Sequence, residues 1–100
     1  SFRVLDVEDE SLTIKIMLNA GHGMNYHSHE NRDEVWTVIS GTGHAILDGV
    51  RRDVKPGDIL TMPAGCRHTV FADSELKIIE VQLGLAISVE DKQKYPLPQA

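Results

Sequence analysis

Short apolar runs separated by glycine- and proline-containing turns follow one another along the chain, and this spacing constrains the fold more than any other feature. In residues 11–18, Leu and Ile alternate with Thr, Lys and Met, which is the period of two expected of a half-buried strand. Further strand-like runs, rich in β-branched residues, are predicted at residues 35–40, 44–47, 50–54, 59–62, 68–71 and 76–83. Many short strands without helical crossovers predict an all-β fold, an antiparallel sandwich or barrel.

The turns between these runs contain the residues that reverse a chain. Asp48-Gly49 joins two short runs and is a two-residue hairpin signal, because a type I′ turn needs a positive φ at both central positions. The sequences KPGD at residues 55–58 and PAG at residues 63–65 indicate two further reversals.

The C-terminal residues depart from the strand pattern. Ser88, followed by Glu90 and Asp91, predicts the N-terminal cap of a short helix. That helix has to end before Pro96.

Composition limits what such a domain can bind. With 100 residues, 41% of them hydrophobic, the chain supports one core, so we predict a single domain over residues 1–100 with its core at about 11–84. A net charge of −5 predicts neither nucleic acid nor an anionic membrane as a partner. Cys66 is the single cysteine and no apolar run reaches the roughly 18 to 20 residues of a membrane span, so the predicted location is cytoplasmic.

The segment HSHENRDE, residues 27–34, has the spacing of a metal site. On a strand His27 and His29 project to the same side with Cα atoms about 6.6 Å apart, a separation that two imidazoles can close around one ion. Glu34 follows after a polar link that can turn it back to the same ion, and His68 arrives from a distant strand. We therefore predict that these four residues bind one divalent metal.

Three other residues could join the site or lie outside it. Cys66 precedes His68 by two residues, so it is either a soft additional ligand or a small buried residue, and we favour the second interpretation. His22 and His44 do not share the spacing and are interpreted as ordinary loop and strand histidines.

The spacing of fixed residues resembles a known family. Gly21, His27, His29, Glu34 and Gly41 are separated by five, one, four and six residues, which is similar to the first motif of the cupins. The stretch that contains Gly57, Pro63, Gly65 and His68 is similar to the second cupin motif. The resemblance implies a double-stranded β-helix, or jelly-roll barrel, with a divalent Zn, Mn, Fe, Co or Ni ion on His27, His29, Glu34 and His68.

A narrower resemblance concerns the reaction. RDEVWTVISGTG at residues 32–43 and IEVQLG at residues 79–84 resemble the C-terminal cupin domain of type II phosphomannose isomerases. The opening SFRVLDV also resembles a segment of that family, which favours a domain of a larger enzyme. His27 stands where the family commonly has Gln and Val35 where it has His, and the family's usual C-terminal stretch does not occur.

This resemblance implies a metal-dependent isomerase of mannose 6-phosphate, in which the ion stabilises an enediolate while a proton moves between neighbouring carbons. Arg32 occupies a family position at the active site and could bind a sugar phosphate as a tentative catalytic residue, or it is a solvated loop charge. Glu80 and Gln82 share one side of their strand and are candidate substrate-binding residues. Glu80 is either a proton-transfer base or a buried group that makes a structural hydrogen bond, and we favour the second interpretation.

Two other functions remain open at this point. One is a non-catalytic sugar-binding or regulatory module that keeps the metal site. The other is a non-haem metal oxygenase, because histidine and carboxylate ligands with open positions also suit Fe(II) and O₂. The cupin resemblance further implies a homodimer.

Overall fold

The structure, a computed structural model, describes residues 1–8, 10–84 and 91–98, and all of its regular elements are β-strands. In chain order they are β1 (Phe2–Val7), β2 (Ser11–Leu18), β3 (Tyr26–Ser28), β4 (Asp33–Ser40), β5 (Gly43–Leu47), β6 (Val50–Val54), β7 (Ile59–Met62), β8 (His68–Ala72), β9 (Leu76–Leu83) and β10 (Gln93–Tyr95). In this part of the chain no helix is long and apolar enough to cross a bilayer.

The strands form two five-stranded sheets. The first sheet has the order β1-β2-β9-β4-β7 and the second has the order β10-β3-β8-β5-β6. Every pairing is antiparallel, and strands far apart in sequence, such as β2 and β9, lie side by side. The predicted all-β, jelly-roll fold class is therefore confirmed.

The predicted turns are where the chain reverses. Asp48 and Gly49 both have a positive φ, of 47° and 83°, as a two-residue hairpin between β5 and β6 requires. At the second turn Gly57 also has a positive φ, and its N–H donates to the carbonyl of Val38, which continues the pairing of β4 with β7 into the turn.

Side-chain alternation along β9 divides the barrel interior into two ends. Leu76 and Ile78 are fully buried and belong to the apolar core, together with residues such as Trp36 and Leu60. Glu80 and Gln82 continue the same inward face, and both are also buried. One end of the barrel is therefore filled with hydrocarbon, and the other holds buried polar groups.

Three parts of the structure differ from the sequence prediction. Strand β1 was not predicted, and β3 ends at Ser28, so His29 lies one residue beyond the strand that holds His27. The cap residues Ser88 and Glu90 of the predicted helix lie outside the described residues. Beyond them the helix prediction is wrong, because residues 93–95 form β10. These three residues pair with β3, and backbone pairing to an existing strand outweighs the weak local signal of a cap.

Gly41 and Gly57 have similar φ values but differ in how closely other atoms of the chain approach them. Gly41 and Gly57 have φ values of 88° and 91°, but a Cβ on Gly41 would lie 2.0 Å from the Glu75 carbonyl oxygen, whereas a Cβ on Gly57 would meet nothing within 4 Å. We expect Gly57→Ala to cost about 1 kcal/mol of unfolding free energy through φ strain alone. Gly41→Ala should cost roughly 1 to 3 kcal/mol more through overpacking. Urea denaturation of both variants measures the difference, and equal costs would contradict the close approach.

Candidate metal centre

Three histidines of the second sheet meet at the polar end of the barrel. His27 on β3 and His68 on β8 are directly opposite each other in the strand register, and His29 follows β3. Their ring centroids are 4.3 Å apart for His27 and His68, 4.9 Å for His27 and His29, and 5.4 Å for His29 and His68. Each offers one ligand atom, these atoms all lie within 4.8 Å of one another, and all three residues are buried. The group could hold one metal ion.

Each histidine ring is oriented by a hydrogen bond from Nδ1 to a backbone carbonyl. The acceptors are the carbonyl oxygens of Asn25 for His27, of Asp91 for His29 and of Cys66 for His68. A carbonyl oxygen only accepts, so Nδ1 carries the proton and the Nε2 lone pair is left for another partner. Metal-binding histidines in proteins are held in this way.

The carboxylate of Glu34 lies against two of these lone pairs. Its Oε2 is 3.1 Å from Nε2 of His29, and its Oε1 is 3.4 Å from Nε2 of His68. A neutral imidazole with Nδ1 protonated and an ionised carboxylate both present acceptors, so this geometry is favourable only beside a cation or a donor, which the Arg32 guanidinium provides for His29 but not for His68. Nε2 of His68 is fully buried and makes no hydrogen bond of good geometry among the described residues. The donor set therefore fits a divalent metal ion.

The protonation states also suit a metal. Burial lowers the pKa of His27 to about 4, and burial also lowers the pKa of His29. For Glu34, burial raises the pKa, but the contacts with His68, His29 and Arg32 outweigh it and the pKa falls to about 2. At neutral pH His27 and His29 are therefore neutral and Glu34 is ionised, which are the forms that bind metals.

Arg32 is part of this cluster. Its Nε donates to Oε2 of Glu34 at 2.9 Å, and its Nη2 lies 3.0 Å from Nε2 of His29. Only 9% of its side chain is exposed. The interpretation of Arg32 as a solvated loop charge is therefore wrong, because its guanidinium is held at the site by an ion pair.

Glu80 and Gln82 face the cluster from β9. In the strand register Gln82 lies opposite Glu34, and Glu80 lies opposite Trp36. Gln82 donates its Nε2–H to Oε2 of Glu80 at 2.5 Å, while its buried Oε1 has no hydrogen-bond partner among the described residues. Burial and the nearby charge of Glu34 raise the pKa of Glu80 to about 7, although the hydrogen bond from Gln82 opposes this.

Sequence reasoning missed two residues that organise the site. Trp36 donates its indole N–H to Oε1 of Glu34 at 3.1 Å, and the two-residue spacing on one strand could have revealed it. Asp91, the acceptor for His29, lies 62 positions along the chain, and no sequence signal connects the two.

The structure also shows whether Cys66, His22 and His44 belong to the site. Cys66 is outside the three-histidine group, and its thiol donates to the Arg67 carbonyl at 3.7 Å. Burial raises the pKa of this thiol to about 11, which disfavours the thiolate that a metal would need. His22 is exposed, and His44 stacks on Phe71 away from the cluster.

These features define a class of small two-sheet barrels whose interior can hold a metal: buried histidines on neighbouring strands of one sheet lie beside a carboxylate from the other sheet. The chain belongs to the cupin family, because the cupin domain model matches residues 14–82. An uncharacterized protein of Aquifex aeolicus is 34% identical over 53 residues. That match covers 53% of this chain and 44% of the relative, so the chain spans less than half of the relative's length.

Solved structures share the fold at low identity. KdgF from a Halomonas species has a TM-score of 0.80 at 20% identity, covering 83% of this chain and 76% of that one. A conserved protein of unknown function from Streptococcus pyogenes has a TM-score of 0.76 at 21% identity, with 87% and 75% covered. A variant of salicylate 1,2-dioxygenase from Pseudoaminobacter salicylatoxidans gives 0.78 at 16%, with 82% and 26% covered. The narrower resemblance to phosphomannose isomerases gains no support from these comparisons.

Glu80 and His27 give opposite pH dependences of stability in the metal-free protein. The raised pKa of Glu80 stabilises the folded state below about 4.5, and this contribution is lost as the pH rises towards about 7. The lowered pKa of His27 acts in the other direction, and its contribution is lost as the pH falls from 6.5 towards about 4. In the wild type the two slopes partly cancel.

Glu80→Gln removes the contribution of Glu80, so we expect the pH dependence of its stability to reflect the histidine contribution alone. Its unfolding free energy should fall more steeply than that of the wild type, by a few kcal/mol, as the pH drops from 7 to 4.5. Urea denaturation with a chelator present measures both profiles. Glu75→Gln, which changes an exposed carboxyl, is the matched control and should keep the wild-type slope. Parallel profiles for Glu80→Gln and the wild type would contradict a buried, proton-retaining Glu80.

Proposed function

We propose that this cupin binds one divalent metal ion through His27, His29 and His68, with Glu34 as the fourth ligand. The observation that carries the proposal is the orientation of the rings: each Nδ1 donates to a carbonyl, and the Nε2 atoms of His29 and His68 lie 3.1 and 3.4 Å from the Glu34 carboxylate. Zn, Mn, Fe, Co and Ni all accept three imidazoles and a carboxylate. Six-coordinate ions would keep open positions for a small molecule.

For the reaction, we propose aldose–ketose isomerisation of a phosphorylated hexose such as mannose 6-phosphate. The bound ion would supply Lewis-acid stabilisation of a negative oxygen on the substrate. Glu80 supports the assignment because it is a buried carboxyl with a pKa raised to about 7, so it can both accept and release a proton near neutral pH. Gln82 holds Glu80 in place through its Nε2–H.

Two further groups suit a hydroxylated, anionic substrate. The buried Oε1 of Gln82 lacks a donor among the described residues, and a sugar hydroxyl would supply one. Arg32 carries a guanidinium at the same site, and a phosphate is the anion that such a group binds in a bidentate manner. Binding of phosphate by Arg32 would exchange part of its present ion pair with Glu34.

We also propose that the protein forms a homodimer and is located in the cytoplasm. The dimer is supported by the apolar side chains of β1, where Phe2 and Val7 are 72% and 66% exposed. Phe2 pairs in register with Ile16, and Val7 pairs with Leu12. The side chains of Ile16 and Leu12 lie on the core side of the sheet, so those of Phe2 and Val7 lie on the same side. A second copy would cover this strip.

The metal ligands are tested by substitution and metal analysis. Purified protein should contain about one divalent ion per chain, and His29→Ala and His68→Ala should each lose it. His22→Ala is the matched control, because His22 is exposed and outside the cluster, and it should keep the metal. Chelation should lower the melting temperature of the wild type by roughly 10 °C, since the ion binds only the folded state. Full occupancy in His68→Ala would refute the ligand set.

The reaction is tested on the same metal-loaded samples. Glu80→Gln should keep the metal but lower kcat for interconversion of mannose 6-phosphate and fructose 6-phosphate by about 10²- to 10⁴-fold. Glu75→Gln should keep wild-type turnover. Saturable sugar-phosphate binding without product by the wild type would instead support a binding or regulatory module. Iron-dependent oxygen consumption would support a non-haem oxygenase.

A further inference from the structure

Asp91, two residues before β10, makes three contacts beside the metal centre. The backbone carbonyl of Asp91 accepts the Nδ1–H of His29 at 2.5 Å. Its carboxylate accepts two backbone N–H groups, from Glu30 through Oδ1 at 2.9 Å and from Asn31 through Oδ2 at 2.8 Å. One residue therefore fixes three consecutive positions of the link that leads from His29 to Glu34.

The position of Asp91 is itself set by the strand that follows it. Strand β10 pairs with β3, and Lys94 lies opposite His27 in the register. The hydroxyl groups of Tyr95 and Ser28 are 2.8 Å apart, and the guanidinium carbon of Arg67 lies 3.9 Å above the Tyr95 ring. Docking of β10 thus delivers the Asp91 carbonyl to His29.

The two contacts of the carboxylate require an aspartate rather than a similar residue. Two neighbouring N–H donors need two acceptor oxygens, which an ionised carboxylate supplies. An asparagine side chain offers one acceptor oxygen, and alanine offers none. The backbone N–H groups of Glu30 and Asn31 also hold the pKa of Asp91 below its usual range, although burial slightly opposes this.

The carbonyl contact decides which nitrogen of His29 is available. A neutral imidazole can carry its proton on either nitrogen, and the hydrogen bond made by one nitrogen fixes the role of the other. With Nδ1 held by Asp91, the Nε2 lone pair faces Glu34 and the metal position. Nη2 of Arg32 donates to Nε2 of His29 at 3.0 Å and favours the same tautomer, so loss of the Asp91 contact would free the orientation of the ring.

We propose that Asp91 is a positioning residue of the metal centre, which orients His29 and couples the docking of β10 to metal binding. The inference rests on the proposed metal-binding function. Coupling between two binding events is reciprocal. A docked β10 should therefore tighten metal binding, and a bound metal should stabilise the docked strand by the same factor.

Metal affinity tests the first half of this coupling. Chelator competition with Zn²⁺ or Co²⁺ should give a dissociation constant about tenfold or more higher for Asp91→Ala than for the wild type. Asp91→Asn, which keeps one acceptor oxygen, should lie between them. Asp58→Ala is the matched control, because Asp58 also accepts a backbone N–H, from Lys55 at 2.9 Å, but in the turn at the opposite end of β4. It should bind metal like the wild type.

Hydrogen exchange and histidine NMR test the second half. In the wild type, metal should slow amide exchange in Gln93–Tyr95 by about the same factor by which loss of Asp91 weakens metal binding. Asp91→Ala should lose this slowing, while the exchange of β5 and β6 should not respond to the substitution. Imidazole ¹⁵N relaxation in the metal-free proteins should show a fixed His29 ring in the wild type and a more mobile ring in Asp91→Ala. Melting of the metal-free variants shows that they are folded.

The outcomes separate this inference from the proposed function. Metal binding by the wild type with unchanged affinity in Asp91→Ala would overturn the role of Asp91 and leave the metal site in place. Equal losses in Asp91→Ala and Asp58→Ala would assign the effect to general destabilisation and would also overturn it. A wild type that binds no metal would overturn the proposed function and this inference together.

Discussion

The ionised carboxylate of Glu34, with only 1% of the side chain exposed, is the constraint that shapes the rest of the site. Taking such a charge out of water costs several kcal/mol unless it is paired and hydrogen-bonded. Here the indole of Trp36 and the guanidinium of Arg32 donate to its two oxygens, and the Nε2 atoms of His29 and His68 lie within 3.4 Å. The surrounding groups therefore have to be polar, fixed in orientation and shielded from water.

The two sheets supply these groups from different parts of the chain. The first sheet contributes Glu34 and its neighbours on β4 and β9, whereas the second contributes His27 and His68. Strand register sets the height of each side chain along the barrel, and a slip of one residue would turn an inward residue to the outside. The geometry of the site is thus largely a result of the antiparallel pairing, and the loop after β3 and the segment at Asp91 add irregular parts.

Sequence reasoning predicted those parts of the molecule that depend on local rules. The seven predicted strands and the Asp48-Gly49 hairpin follow from side-chain alternation and from backbone sterics, which act between near neighbours. The inward direction of Glu80 and Gln82 followed from the same alternation. Strands β1 and β10 and the end of β3 at Ser28 were not predicted, because the stability of these short strands comes from pairing with strands elsewhere in the chain. The contact between Asp91 and His29 belongs to this second group, since no spacing rule spans that separation.

The division of β9 into an apolar half and a polar half has an evolutionary consequence. Leu76 and Ile78 pack in the hydrocarbon core, whereas Glu80 and Gln82 face the buried polar cluster. Substitutions of Glu80 or Gln82 can change which small molecule binds, or which proton is moved. They remove no hydrocarbon from the core that keeps the barrel folded. New specificities can therefore arise in small steps while the hydrocarbon core stays unchanged, which is consistent with one barrel serving many chemistries.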